Sequence, residues 1–295
     1  QGRVRLAHIL SANGGVRSEF TVMRDGADSF YLVSAAAGER HDFDTLQKAL
    51  PGDGGVHLES LTEAIGVLVL AGPKSRELLA KLTDADLSSA AFPWMSERTI
   101  ALGAAHARAA RVSYVGELGW ELHHPMAMQN AIFDALMAAG EEFAIQPFGM
   151  RAMDSLRLEK SYFAWGTELS IEYAALESGL DRFVALDKGD FVGRDALVAW
   201  AEKGFDNRFV TLEIHAITDT DARGSEPLYA DGAMVGRVTG GGYGWRGEKS
   251  LALAMVRPDC SEIGTELEVD ILGTRHRATV IEPSPFDPEN LRLRG

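Results

Sequence analysis

The rhythm of apolar positions changes near residue 204. Before it, strand-like runs mix with 3.6-residue periodicity, and after it short alternating runs between glycine-rich turns take over. Val16-Arg17-Ser18-Glu19-Phe20-Thr21-Val22, set off by the Asn13-Gly14-Gly15 turn, predicts a strand with no evident partner before it. Phe30 to Val33 predicts a second. His41 to Leu50 has Phe43, Leu46 and Leu50 at helical spacing, Val56 to Leu61 alternates, and Ile65 to Leu70 is a continuous apolar run of the kind a strand covered on both faces shows. Gly72-Pro73 opens a helix carrying Leu78, Leu79 and Leu82.

Arg111 to Tyr114 and Leu118 to His123 read as a strand pair about a Gly116-Glu117 turn. Ala127 to Phe143, Met150 to Tyr162 and Asp190 to Trp200 predict helices, the last stopping before Gly204. From Arg208 five strands follow: Phe209 to Ile214, Val235 to Val238, Ser250 to Val256, Leu267 to Leu272 and Thr279 to Ile281. Together they predict a small barrel or sandwich. The fold class expected is α+β, with a mixed α/β domain over 1–204 and an all-β domain over 205–295.

Composition narrows the chemistry. A net charge of −14 over 295 residues opposes binding to a phosphate backbone, so nucleic acid is not an expected partner. No run reaches the roughly 18 apolar residues of a membrane span, and the N-terminus lacks a signal-peptide pattern. The one cysteine, Cys260, excludes an intrachain disulfide and fits a reducing compartment, here the cytoplasm.

Gly242-Tyr243-Gly244-Trp245-Arg246-Gly247 satisfies G-x-G-x-x-G, but a phosphate site requires a helix directly after it. Ser250 to Val256 reads as a strand instead, so this segment is expected to be a hairpin loop. His123 and His124 are adjacent on a strand and point to opposite faces, so no metal site is expected there.

Glu121 is more informative. Leu118, Trp120 and Leu122 share one face of their strand, which turns Glu121 to the other, beside Gly119. A strand carboxylate next to a glycine is either solvated or positioned for the two parallel N–H donors of a flat, amidine-like ligand edge. Glu19 and Thr21 likewise share a face opposite Phe20 and Val22, as a solvated edge or as a site.

These segments, in order along the chain, resemble the glycine-cleavage T-protein (aminomethyltransferase) family. The match includes Gly14 to Val22, Leu70-Ala71-Gly72-Pro73, Ser113-Tyr114-Val115-Gly116-Glu117-Leu118-Gly119-Trp120-Glu121, Leu156-Arg157-Leu158-Glu159-Lys160, Ala164-Trp165-Gly166, Leu176 to Leu180, Lys188 to Arg194 and Pro283 to Pro288. It is closest to the family's version in the C-terminal part of dimethylglycine and sarcosine dehydrogenases. The resemblance implies a tetrahydrofolate site in which Glu121 grips the pterin and Tyr114 lines the pocket. Glu19 stands where the family commonly has an aspartate near the nitrogens that accept the carbon. It is the expected catalytic base, with Thr21 beside it, and Trp165 is either a cofactor-packing ring or a core aromatic.

Met153 occupies the place before Asp154 where aminomethyltransferases carry arginine, which favours the dehydrogenase branch. There a flavin oxidises an N-methyl amine to an iminium whose carbon is captured as 5,10-methylene-tetrahydrofolate. FAD would belong to a missing or separate domain or subunit, and the chain reads as a C-terminal fragment or one part of a two-part enzyme. A folate-dependent O- or S-demethylase, an aminomethyltransferase and a non-catalytic docking module of the same fold are the alternatives.

Overall fold

A computed structural model describes residues 1–217 and 219–295. In chain order the elements are β1 (Val4–Leu10), β2 (Val16–Arg24), β3 (Phe30–Val33), α1 (Glu39–Lys48), β4 (Ile65–Ala71), α2 (Ser75–Leu79), β5 (Glu97–Leu102), β6 (Ala105–Ala110), β7 (Gly119–Pro125) and α3 (Gln129–Gly140). They continue with α4 (Met150–Leu158), α5 (Arg194–Lys203), β8 (Arg208–Ile214), β9 (Pro227–Ala230), β10 (Ala233–Gly244), β11 (Lys249–Val256), β12 (Glu266–Ile271), β13 (Thr274–Ile281) and α6 (Leu291–Arg294). The chain divides into two compact units, one formed by 1–6, 20–148 and 290–295, the other by 7–19 and 149–289. The division falls inside β1 and β2.

The first unit is built on a four-stranded sheet ordered β4-β7-β6-β5, with each neighbouring pair antiparallel. One face is a packed core in which Trp120, Leu122, Leu70, Ile100 and Ala107 meet Leu78 and Leu79 of α2 and Ile132 and Leu136 of α3. Removing that apolar surface from water is the main driving force for this layer. On the opposite face a smaller cluster gathers Val4, Met23 and Ala110, with Tyr31 and Val33 packed against it. The helix expected after Gly72-Pro73 forms as the short α2, which begins at Ser75 and ends at Leu79, so Leu82 lies beyond it. Glu117 accepts a two-pronged contact from Arg292 Nε at 3.0 and 2.9 Å that anchors α6.

In the second unit the apolar alternation after Arg208 closes on itself as a barrel, β10-β11-β8-β13-β12-β9, with every neighbouring pair antiparallel. Closure leaves no unpaired edge. Its interior is filled by Val210, Leu212, Leu228, Val238, Ala252, Ala254, Val269 and Val280. A second cluster in this unit packs Leu10 and Val16 against Leu169, Leu176, Leu180 and Leu197.

The structure corrects several sequence expectations. The early strand does have a partner, because Val4 to Leu10 forms β1 beside it. Val56 to Leu61 is not a strand, and both of its end residues lie exposed. The run Ile65 to Leu70 is an edge strand, with Val67 and Val69 exposed.

The hairpin before β7 is made with Ala105–Ala110, and residues 111–118 are the connection. Arg111 is buried there because its guanidinium donates to the carbonyls of Phe92, Arg294 and Gly295, partners that an extended strand would not offer it. Burial, with the charge of Arg76 nearby, lowers its pKa from the usual arginine value. The barrel has six strands, the sixth being the short β9, which opens on Pro227. The helix expected from Asp190 starts at Arg194, after Gly193 in a left-handed conformation (φ +86°).

Gly242 to Gly244 belong to β10 and are not part of a loop. In the turn that follows, the amides of Arg246 and Gly247 donate to Glu159 Oε1 at 2.7 and 2.9 Å, and Arg246 Nε donates to Glu159 Oε2 at 2.6 Å. The glycine-rich segment thus cradles an anion, but the anion is the chain's own carboxylate. A Cβ at position 244 would stand 2.8 Å from Glu159 Cγ, so glycine is required there.

Glu159 is 1% exposed. Glu159→Ala takes the acceptor from the Arg246 Nε–H and from two backbone amides, and it is expected to cost about 3–5 kcal/mol in chemical denaturation. Glu248→Gln in the same turn, where the side chain is exposed, should stay within about 0.5 kcal/mol.

Candidate functional site

The burial of Trp120 and Leu122 dictates the direction of their neighbours. Both are fully buried on the helix-covered face of β7, so Glu121 and His123 project from the other face. In the β4–β7 pairing Val69 lies opposite Glu121 and Val67 opposite His123. Opposed residues share a face, so a ledge of two exposed valines flanks the carboxylate. From β6 the same face receives Arg108, opposite His123, and the buried Ala110, opposite Glu121.

Glu121 keeps 27% of its side chain exposed, and its Oε2 lies 3.4 Å from His123 Nε2. The other ring nitrogen, Nδ1, is 3.1 Å from the Tyr31 hydroxyl, and the two rings meet edge to face at 5.5 Å. The Arg108 guanidinium sits 4.6 Å above the Tyr31 ring and pairs with Asp25 at 2.8 Å. Burial is the largest influence on Tyr31 and raises its pKa above the usual tyrosine value; Arg108 pulls the other way, and Glu121 and Asp25 add to the rise. The hydroxyl therefore keeps its proton at neutral pH and can donate it in a hydrogen bond.

Gly119 has a different role from the one expected. Its missing Cβ would stand 2.7 Å from the Leu70 carbonyl of β4, so the glycine permits close strand packing and does not open space for a ligand.

Thr21 pairs with Val33 and Met23 with Tyr31, which puts Thr21 on the face of β2 that also carries Met23 and Tyr31. That face is turned toward the small apolar cluster and not outward as the alternation suggested, because Met23 is fully buried there. Tyr114 is half-buried within the 111–118 connection.

The remaining two sequence-named residues belong to the second unit. Glu19 pairs through Oε1 with His8 Nε2 at 3.1 Å, and His8 in turn stands edge to face on Phe183. Trp165 is half-buried and donates its ring N–H to the Arg17 carbonyl at 2.9 Å. Asp154 accepts from Arg157 Nε at 3.1 Å, while Arg151 is exposed.

The sequence reading missed Tyr31, His123, Arg108 and His8. Their only signal was register: His123 is two residues beyond Glu121 and so shares its face. Tyr31 reaches His123, and His8 reaches Glu19, by pairings that the sequence does not announce. His124, on the opposite face from His123, lies with Nδ1 3.0 Å from the Pro125 carbonyl. Among the described residues no three His, Cys, Asp or Glu side chains gather as a metal site, and no helix is long and apolar enough to cross a membrane.

Residues 1–188 match the family model described as the GCVT N-terminal domain, and residues 207–287 match the glycine cleavage T-protein C-terminal barrel domain. Mitochondrial dimethylglycine dehydrogenase of Homo sapiens is 38% identical over 283 residues, 95% of this chain and 33% of that protein. Mitochondrial sarcosine dehydrogenase of Mus musculus is 31% identical over 97% of the chain and 33% of its own length. The chain thus spans about a third of the length of these curated relatives. An aminomethyltransferase of Thermoanaerobacter sp. (strain X514) is 31% identical over 91% of the chain and 72% of its own length.

In fold, the chain superposes on the glycine cleavage system aminomethyltransferase T of Bartonella henselae with a TM-score of 0.84 at 23% identity, over 97% of this chain and 77% of that one. With both of its domains matched in order and its fold shared, the chain belongs to the glycine cleavage T-protein (aminomethyltransferase) family, alongside the C-terminal regions of dimethylglycine and sarcosine dehydrogenases.

Proposed function

We propose that this chain is the tetrahydrofolate-binding, one-carbon-transfer portion of an N-methyl amine dehydrogenase. The observation that carries the reading is Glu121, a carboxylate on a rigid strand, partly open to solvent, flanked by the exposed ledge of Val67 and Val69. A flat heterocycle can lie along the valines and present an amidine-like edge to the two carboxylate oxygens, and the pterin of tetrahydrofolate is such a ring. The residues present therefore fit the group.

Tetrahydrofolate, when bound, supplies the nitrogens that take up a one-carbon unit. Glu121 orients its pyrimidine edge, which turns a chance encounter into a positioned reaction. Tyr114 and Thr21 line the pocket. The resemblance to the family is what supports a base role for Glu19, which pairs with His8 and would take up the proton released as a carbon is accepted, and a cofactor-packing role for Trp165. The higher identity to dimethylglycine dehydrogenase favours an iminium from an N-methyl amine as the carbon source and 5,10-methylene-tetrahydrofolate as the product. FAD would reside in another domain or subunit, and that flavin-bearing part is the partner this reading requires.

Calorimetric titration of tetrahydrofolate tests the reading. Glu121→Ala should weaken binding by about 2 kcal/mol, some thirtyfold, through loss of a two-pronged charged contact, and absence of binding to the intact folded chain would overturn the proposal. Glu19→Gln separates the two roles. It should leave tetrahydrofolate affinity within about twofold while slowing methylene-tetrahydrofolate formation by about a hundredfold, measured with an N-methyl-amine-oxidising flavin domain supplied alongside. Equal losses in both quantities would place Glu19 in binding and remove it as the base.

A further inference from the structure

The contact of His123 with Glu121 leaves a problem of polar satisfaction. His123 is only 4% exposed, and its Nε2 is a buried ring nitrogen without a hydrogen bond in the structure. The Glu121 carboxylate lies 3.4 Å away. A buried polar group without a partner is costly, and the neighbouring Glu121 carboxylate is a candidate to satisfy it.

The tautomer follows from the two neighbours of the ring. If the neutral ring carried its proton on Nδ1, Nε2 would present a bare lone pair to a carboxylate oxygen in a site with little water, which is repulsive. If the proton is on Nε2, Nδ1 is an acceptor and must face a donor, and the Tyr31 hydroxyl is there at 3.1 Å. Tyr31 is itself fixed by the Arg108 guanidinium above its ring, which Asp25 holds from the other side. Glu97 Oε2 lies 3.9 Å from Arg108 Nε.

We infer that Tyr31, His123 and Glu121 form a directed hydrogen-bond chain, hydroxyl to Nδ1 and Nε2–H to carboxylate, that makes His123 and Tyr31 positioning residues for the folate-gripping glutamate. Each carboxylate oxygen can accept more than one hydrogen bond, so a ligand edge and His123 engage Glu121 together. At 3.4 Å the Nε2–H and the carboxylate oxygen are in electrostatic contact, longer than an ordinary N–H···O bond. Ring orientation by a second hydrogen bond is how histidine is commonly aimed at a ligand or metal, and here the same device aims a carboxylate. This inference rests on the tetrahydrofolate reading of Glu121, although the tautomer does not depend on it.

Two measurements test it. In the ¹⁵N spectrum of the ligand-free chain, assigned by loss of the signal in His123→Gln, the neutral ring should be protonated at Nε2 and bare at Nδ1; the opposite tautomer overturns the chain. In tetrahydrofolate titrations, Tyr31→Phe and His123→Phe should each weaken binding by about three- to tenfold, the worth of one net hydrogen bond, whereas His123→Gln, which keeps an N–H donor, should recover most of the loss.

In a Glu121→Gln background the effect of Tyr31→Phe should disappear. Should His123→Phe fail to fold, the Tyr31→Phe and His123→Gln comparisons carry the test. Wild-type binding that is lost in Glu121→Ala but unchanged in both Tyr31→Phe and His123→Phe would overturn the positioning role and leave the folate reading standing. A wild type that binds no tetrahydrofolate would overturn the folate reading.

Discussion

Trp120 and Leu122 are pressed into the layer between the four-stranded sheet and α2 and α3, and through the alternation of a strand they decide where Glu121 points. A one-residue slip of β7 would bury the carboxylate in that core and expose Trp120, a loss of several kcal/mol in apolar burial alone, so the register is strongly held. The position of the glutamate is a by-product of packing its neighbours. The opposite face of the sheet is covered only in part. Tyr31, Val33 and Met23 pack near Ala110, while Val67 and Val69 at the β4 edge stay exposed. That incomplete cover leaves a charged group on a rigid element within reach of a ligand, an arrangement suited to precise binding.

The segment Leu156 to Lys160, as much a marker of the family as the glutamate strand, does different work. Arg157 donates to Asp154 and to the Tyr162 carbonyl and lies 3.5 Å from Glu168, which is fully buried and accepts from the Thr239 hydroxyl at 2.6 Å and the Ala164 amide at 2.8 Å. Glu159 occupies the turn after β10, and Lys160 donates to the carbonyls of Phe286 and Asp287. Buried charges are costly unless each finds partners, and here each does, so these residues tie α4 to the barrel and to the 283–288 segment. Residues that mark a family need not touch its ligand.

Much of the fold was legible because burial repeats at the strand or helix period. The amphipathic α3, the apolar β4 and the strands of the barrel announce themselves in this way. What escaped detection had weak periodicity. Ala105 to Ala110 is alanine-rich and β5 is half polar, so neither reads as a strand alone, and β9 is four residues long and opens on a proline. The face of Glu121 was readable from its neighbours, whereas the histidine partners of Glu19 and Glu121 were not equally so. His123 follows from period two, but His8 meets Glu19 from another strand. Likewise, Gly242 to Gly247 resembles a nucleotide loop because the same backbone geometry serves any anion, and only the structure identifies Glu159 as that anion.

Both carboxylates proposed for the site lie against histidines that are themselves buried, His8 at 6% and His123 at 2% side-chain exposure. A free glutamate on a strand samples several rotamers, and holding it in one costs entropy each time a ligand binds. A buried imidazole, itself fixed by an aromatic neighbour in each case, Phe183 for His8 and Tyr31 for His123, restricts those rotamers before the ligand arrives. At Glu19, where the chain carries a side chain one methylene longer than the family's usual aspartate, that restriction matters more, because the added torsion would otherwise spread the carboxylate over a wider volume. The His8 contact confines the longer side chain to one end of that volume.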